Sequence, residues 1–117
     1  MTTTRKRVPA AFYAAENGSE PVREWLLSLP DQHRKSIGED IKTVEFGWPI
    51  GMPTCRNMGS GLHEVRTNLD NKTIARVLFC FHQGNMVLLH GFIKKSQATP
   101  KPDLDLAKKR KREVENG

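Results

Sequence analysis

Between Thr73 and Lys95 lie the two segments that most restrict the fold. "TIARVLFCF" (Thr73 to Phe81) is rich in β-branched and aromatic residues, "HQGN" offers a tight turn, and "MVLLHGFIKK" (Met86 to Lys95) follows. A weaker alternating run, "LHEVRT" (Leu62 to Thr67), stands before them across the turn "LDNK". Two short connections in succession predict an antiparallel meander of three strands.

The rest of the chain must cover that meander. "VPAAFYAA" (Val8 to Ala15) predicts an opening strand, and "ENGSE" supplies turn chemistry. Ser19 is placed to cap a helix with Glu20 and Pro21 in its first turn, and Val22, Trp25, Leu26 and Leu29 form one face of it. Pro30 ends that helix. Asp31 then caps a second, with Ile37, Ile41 and Val44 turned inward and Gly47 as its C-terminal signal. The short connection predicts an antiparallel helical hairpin. From Gly47 to Gly61 no period is visible, and a loop of that length in a small domain is often functional. A plainer alternative is that Trp48, Ile50 and Met52 tuck beneath the sheet. After the break "SQATPKPD", Thr99 is placed to cap a last helix with Pro100 near its first position, and Leu104, Ala107 and Val114 facing the core. The expected order is β-α-α-β-β-β-α. This is one α+β domain spanning residues 1–117, with its helices on one face of a single sheet.

The chain carries 19 Lys and Arg against 13 Asp and Glu, a net charge of +6. The excess gathers at Arg5, Lys6 and Arg7 and again in the last quarter, at Lys101, Lys108, Lys109, Arg110, Lys111 and Arg112. Such asymmetry points to a polyanion or an acidic protein as partner, against the alternative of a merely solvated tail. No apolar stretch approaches the roughly 20 residues that a membrane span requires. "MTTTRKRVPA" lacks a following apolar segment, so a cytoplasmic protein without a signal peptide is expected. Cys55 and Cys80 have no metal-type spacing and read as free thiols. With no zinc spacing, P-loop or nucleophile elbow, no metal or other cofactor is expected.

Alternation with period two groups the polar residues of the strands. Leu62, Glu64 and Arg66 share one side, as do Ile74, Arg76, Leu78 and Cys80, and Met86, Leu88, His90, Phe92 and Lys94. If the polar sides coincide, one sheet face gathers a carboxylate, an imidazole and several cations, with Lys95 beside them. Such a face can cut RNA without a metal. A base takes the 2′-hydroxyl proton (Glu64 or His90), an acid protonates the leaving 5′-oxygen (His90 or a lysine), and Arg66, Arg76, Lys94 and Lys95 stabilise the phosphorane. The competing readings are structural: Glu64 and Arg66, both on one strand, forming only cross-strand ion pairs, His90 as a satisfied core histidine, and the lysines as solubilising residues at a strand end. Arg76 stands among apolar residues, where its charge demands a partner or a ligand.

"GLHEVRT", "IARVLFCF" and "LLHGFIKKSQATPKPDLDLAKKR" resemble the phage-derived, HigB-like branch of the RelE/ParE toxin superfamily, with "VREWLLSLP" similar to its first helix and "FGWPIGMPTCRNMGSGL" to its central loop. The resemblance implies a RelE-like fold and the toxin of a type II toxin–antitoxin system, commonly a metal-independent, ribosome-dependent mRNA endonuclease. It carries Glu64, Arg66, Arg76, Lys94 and Lys95 over as site residues, with His90 part of the branch pattern. Lys101, Lys108, Lys109, Arg110 and Arg112 would then meet RNA phosphates. The implied partners are a helix-turn-helix antitoxin, the ribosome and mRNA; no membrane is involved, and DNA is met only through the antitoxin complex. The sequence departs from well-known RelE toxins in having Glu64 where they carry a second basic residue, and in having no tyrosine after Tyr13. A tryptophan often stands in the branch where this chain has His63. Two alternatives stay open: a ParE-like inhibitor of DNA gyrase without enzymatic activity, and an inactive relative that only binds its antitoxin.

Overall fold

A computed structural model describes residues 5–95 and 97–117. The first four residues of the basic N-terminus, and Ser96 of the expected break, lie outside them. The elements run β1 (Ala10–Phe12), α1 (Pro21–Leu27), α2 (Asp31–Gly47), β2 (Cys55–Gly59), β3 (Leu62–Asn68), a single 3₁₀ turn (Asp70–Lys72), β4 (Ile74–His82), β5 (Asn85–Lys94) and α3 (Lys101–Asn116). This is an α+β domain built on one five-stranded sheet in the order β1-β5-β4-β3-β2.

The expected meander is present as β3-β4-β5, and it gains a strand at each edge. β2 forms inside the segment expected to be a loop, where Cys55 to Gly59 folds back on β3 through the turn at Ser60 and Gly61. Its sequence, CRNMG, holds no β-branched or aromatic residue, so it has no strand signature of its own. β1 is shorter than expected and pairs with β5 in parallel, Ala10 opposite Met86 and Phe12 opposite Leu88. The sheet is therefore mixed. Glu45 holds β1 in place: its carboxylate accepts the Ala10 N–H at 2.7 Å and faces Lys6 Nζ at 3.1 Å.

The helices do not share one face. Ile37, Ile41 and Val44 of α2, with Val22 of α1, bury against Val65, Ala75, Val77, Phe79, Met86 and Leu88. Ala107, Leu104 and Val114 of α3 cover Leu62, Leu78, Cys80, Val87, Leu89 and Phe92. The two sets alternate along the strands, so α3 lies on the opposite face from α1 and α2. A continuous apolar run such as Val77 to Phe81 is the sign of a strand covered on both sides. Of the two helices expected to form a hairpin, α1 rests chiefly on β5 and α2 on β3. None of the expected side-chain caps forms: Glu20, Pro30 and Pro100 occupy the N-cap positions without a side-chain cap bond.

An irregularity in β5 decides which of its side chains reach each face. Leu78 pairs with His90, yet Phe79 pairs with Leu88, so Leu89 is an extra residue, a β-bulge. Met86 and Leu88 consequently face α1 and α2, whereas Leu89 and Phe92 face α3. His90 and Lys94, opposite Leu78 and Ile74, share the α3 face. The uninterrupted alternation expected from Met86 to Lys94 is thus broken at Leu89.

Gly91, beside His90, faces α1. A Cβ at this position would lie 2.4 Å from the Trp25 indole, which occupies the space above the backbone. Gly91→Ala is therefore expected to destabilise the fold by about 1–3 kcal/mol through overpacking. Urea unfolding of Gly91→Ala, with and without Trp25→Ala, tests this. An equal loss in both backgrounds would show that the indole is not the cause.

Candidate active site on the α3 face of the sheet

The register brings the sequence-predicted residues onto one face. Glu64 lies opposite Leu78, which lies opposite His90; Arg66 lies opposite Arg76, which lies opposite Phe92; and Ile74 lies opposite Lys94. Glu64, Arg66, Arg76, His90 and Lys94 thus occupy adjacent positions at one end of the α3 face, beyond the apolar patch covered by α3. Lys95 falls one residue past the end of β5 and is exposed.

The chain itself fills the middle of that surface. Between β5 and α3 it crosses the sheet, and three successive residues dock on the polar groups. Gln97 Oε1 accepts from Arg66 Nη2 at 3.0 Å, the Ala98 carbonyl accepts from Arg76 Nη1 at 2.8 Å, and the Thr99 hydroxyl donates to Glu64 Oε2 at 2.6 Å. Thr99, expected to cap α3, spends its hydroxyl here. Glu64 and Arg76 are each 0% exposed. Burial lowers the Arg76 pKa, the Glu64 carboxylate opposes that shift, and Arg66 adds to it. Arg66 Nε lies 3.8 Å from Glu64 Oε1, and the Arg66 side chain keeps 12% of its surface exposed. The ion pair is therefore between Glu64 and Arg66 within one strand, and not the cross-strand pairing expected.

His90 is satisfied, as the structural reading has it, but it is not sealed in the core. Its side chain is 17% exposed and stacks on Phe92, and Nε2 lies 2.7 Å from Asp103 Oδ1 in the first turn of α3. A carboxylate only accepts, so in the neutral imidazole Nε2 carries the proton and Nδ1 keeps its lone pair. The other Asp103 oxygen lies 4.0 Å from Lys94 Nζ. Asp103 was not among the candidate site residues read from the sequence. An acidic residue in the first turn of a helix is explained by the helix dipole, and nothing local links it to a histidine 13 positions earlier.

The basic residues of α3 divide. Lys109 and Arg112 are exposed, Lys108 is half-buried, and Lys101 is exposed beside Asp105 at 2.9 Å. Arg110 turns inward, donating to the Leu89 carbonyl at 2.8 Å and lying 5.3 Å from the Tyr13 ring centre. Tyr13 donates to Glu113, which raises the phenol pKa.

A model of the phage-derived Gp49-like protein family, DUF891, matches residues 24–112, from α1 to the last turns of α3. The chain belongs to the Gp49-like family. This is a toxin-like family of the RelE/Gp49 type, consistent with a toxin of a toxin–antitoxin system and with an antitoxin as partner. No curated protein matches the chain. No helix among the described residues is long and apolar enough to cross a membrane.

Two residue types of this Gp49-like chain have structural explanations. Cys55 and Cys80 are buried free thiols, and burial, with Glu64 nearby, pushes the Cys55 pKa up to about 11. His63 lies on the α2 face, stacked on Phe79 with ring centres 5.3 Å apart and meeting Trp48 edge-on at 5.0 Å. An aromatic ring is what this box accommodates. Burial lowers the His63 pKa from 6.5. The fold therefore favours neutral imidazole, and the His63 contribution to stability is complete above about 6.5 and lost as pH falls toward the folded-state value. Urea midpoints should drop below pH 6.5, with a shallower slope in His63→Phe. An unchanged slope in that variant would assign the acid sensitivity elsewhere.

Proposed function

We propose that this chain is the toxin of a type II toxin–antitoxin pair, a RelE-like protein of the HigB-like branch that cuts mRNA on the ribosome without a metal. The observation that carries this reading is an accessible His90, held by Asp103 on the same sheet face as Arg66 and Lys94. His90 Nδ1 takes the 2′-hydroxyl proton. The 2′-oxygen attacks phosphorus, a 2′,3′-cyclic phosphate forms, and the 5′-oxygen leaves with a proton from Lys94 or Lys95. Arg66 presents its fork to the non-bridging oxygens. Glu64 and Arg76, out of solvent, support the site from beneath: Glu64 orients Arg66, while Arg76 adds positive potential and fastens Ala98. Glu64 thus serves as a holder of Arg66 and His90 as the base.

On this reading the protein works in the cytoplasm. Lys101, Lys108, Lys109 and Arg112 meet ribosomal RNA phosphates, with Arg110 bracing the helix, and binding weakens steeply with salt. A helix-turn-helix antitoxin covers the basic face and provides the only route to DNA. Inducing the chain in cells and mapping mRNA 5′ ends tests the proposal. New ends during growth arrest are expected, and intact transcripts in arrested cells would remove the nuclease reading. The burial of Glu64 and Arg76 beneath Gln97 to Thr99 favours a second reading, a ParE-like inhibitor that binds DNA gyrase without cutting anything. Loss of supercoiling activity with purified protein and gyrase would establish it.

A further inference from the structure

Beside the candidate site lies a recess of about 250 Å³, lined by Met52, Pro53, Arg66, Asn68, Ile74 and Gln97. We propose that this recess is a nucleobase subsite, which takes a base of the RNA strand next to the cleaved linkage. The ligand class rests on the RNA-cleaving reading; the recess itself rests on independent features.

The first is Met52. It is 58% exposed, one of two large apolar side chains so exposed among the described residues, and it lines the recess with Pro53. A flexible thioether left in water beside a polar recess is well suited to cover a planar apolar face. The second is Arg66, which also lines the recess; its guanidinium donates to Gln97 at 3.0 Å and lies 3.8 Å from the Glu64 carboxylate. A fixed guanidinium plane is a stacking surface for an unpaired base. A guanidinium can stack through its plane while its edge donates to a phosphate, so Arg66 can serve both a base and the linkage beside it. Asn68 and Gln97 supply the third feature. Gln97 has its carbonyl oxygen committed to Arg66, which leaves its amide NH₂ to donate, and the exposed Asn68 amide can both donate and accept. Amides paired with base edges are a recurrent means of telling one base from another. The volume lies below the range of drug-sized pockets and fits a single ring system. Across the sheet, Arg66 on β3 and His90 on β5 are two strands apart, roughly 10 Å in the pairing direction. A base in the recess therefore belongs to a nucleotide adjoining the one whose 2′-hydroxyl meets His90.

The test uses the full chain with methyl-labelled methionine. The four nucleoside 5′-monophosphates are titrated in turn, with ribose 5-phosphate as the probe that lacks a base. The Met52 methyl resonance should move with at least one nucleotide and stay in place with ribose 5-phosphate. Met52→Ala and Asn68→Ala should each weaken that nucleotide by about tenfold. Mapped mRNA ends should also show an altered base preference beside the cut in both variants. A methyl that ignores every nucleotide, or that answers ribose 5-phosphate equally, overturns the subsite, as does an unaltered preference where the chain cuts. If wild type cuts no RNA yet the methyl responds to nucleotides alone, the subsite stands and the nuclease reading falls. If wild type cuts while the methyl stays silent, the subsite falls alone.

Discussion

Glu64→Ala is expected to cost about 3–5 kcal/mol of stability, the typical loss when one partner of a buried charge pair is removed. Glu64 is 0% exposed, accepts the Thr99 hydroxyl at 2.6 Å, and faces Arg66 at 3.8 Å. Its carboxylate also opposes the burial that lowers the Arg76 pKa. Truncation leaves the buried Arg76 charge without its carboxylate neighbour, strips the Thr99 hydroxyl of its acceptor, and opens a cavity. For a domain with a total stability of about 5–15 kcal/mol, such a loss approaches unfolding. Urea titration should show a lower midpoint with an unchanged slope. Glu64→Gln separates the causes, since it keeps an acceptor for Thr99 while removing the charge, and should lie between wild type and Glu64→Ala. Arg76→Met in the Glu64→Ala background should recover part of the loss, because two apolar side chains leave no buried charge to compensate. A Glu64→Ala midpoint within error of wild type would mean that this carboxylate does not hold the Arg76 charge.

The same two residues mark how far the sequence could be read. Strong periodicity made the helices and the β3-β4-β5 meander legible, and of the partner or ligand that a charged Arg76 in an apolar strand demands, the chain itself supplies a partner, the Ala98 carbonyl. The partners were not legible, because Ala98 acts through a main-chain carbonyl that carries no sequence signal, and Thr99 through a hydroxyl that a helix cap already explained. β2 lacked a strand signature, and the parallel pairing of β1 is a tertiary choice with no local trace. The bulge at Leu89 is the sharpest case. "MVLLHG" is apolar almost throughout, so nothing in it tells an alternating strand from one with an extra residue. Yet that single residue decides which face Met86 and Leu88 take relative to His90 and Lys94. Gly91 was equally silent until Trp25 was found against it.

If the nuclease reading holds, His90→Gln should lower mRNA cleavage by about 10²- to 10⁴-fold, the usual contribution of a positioned general base. Glutamine approximates the reach of imidazole but cannot take a proton at neutral pH. Asp103→Asn should cost less than His90→Gln but still at least about tenfold, since an asparagine can turn its NH₂ toward Nε2 and favour the tautomer whose Nδ1 carries the proton. That amide would leave His90 in place, 2.7 Å from its partner in the wild-type geometry, while removing the lone pair from the atom that must act as base. The imidazole resonances of Asp103→Asn should report the changed tautomer, a signature that a merely structural role would not give. Both variants keep a hydrogen-bonding group at this largely buried pair, so each should unfold within about 2 kcal/mol of wild type. Cleavage retained in His90→Gln would move the base elsewhere. Cleavage lost in His90→Gln yet intact in Asp103→Asn, with the tautomer changed, would show that Nδ1 is not the atom that takes the proton.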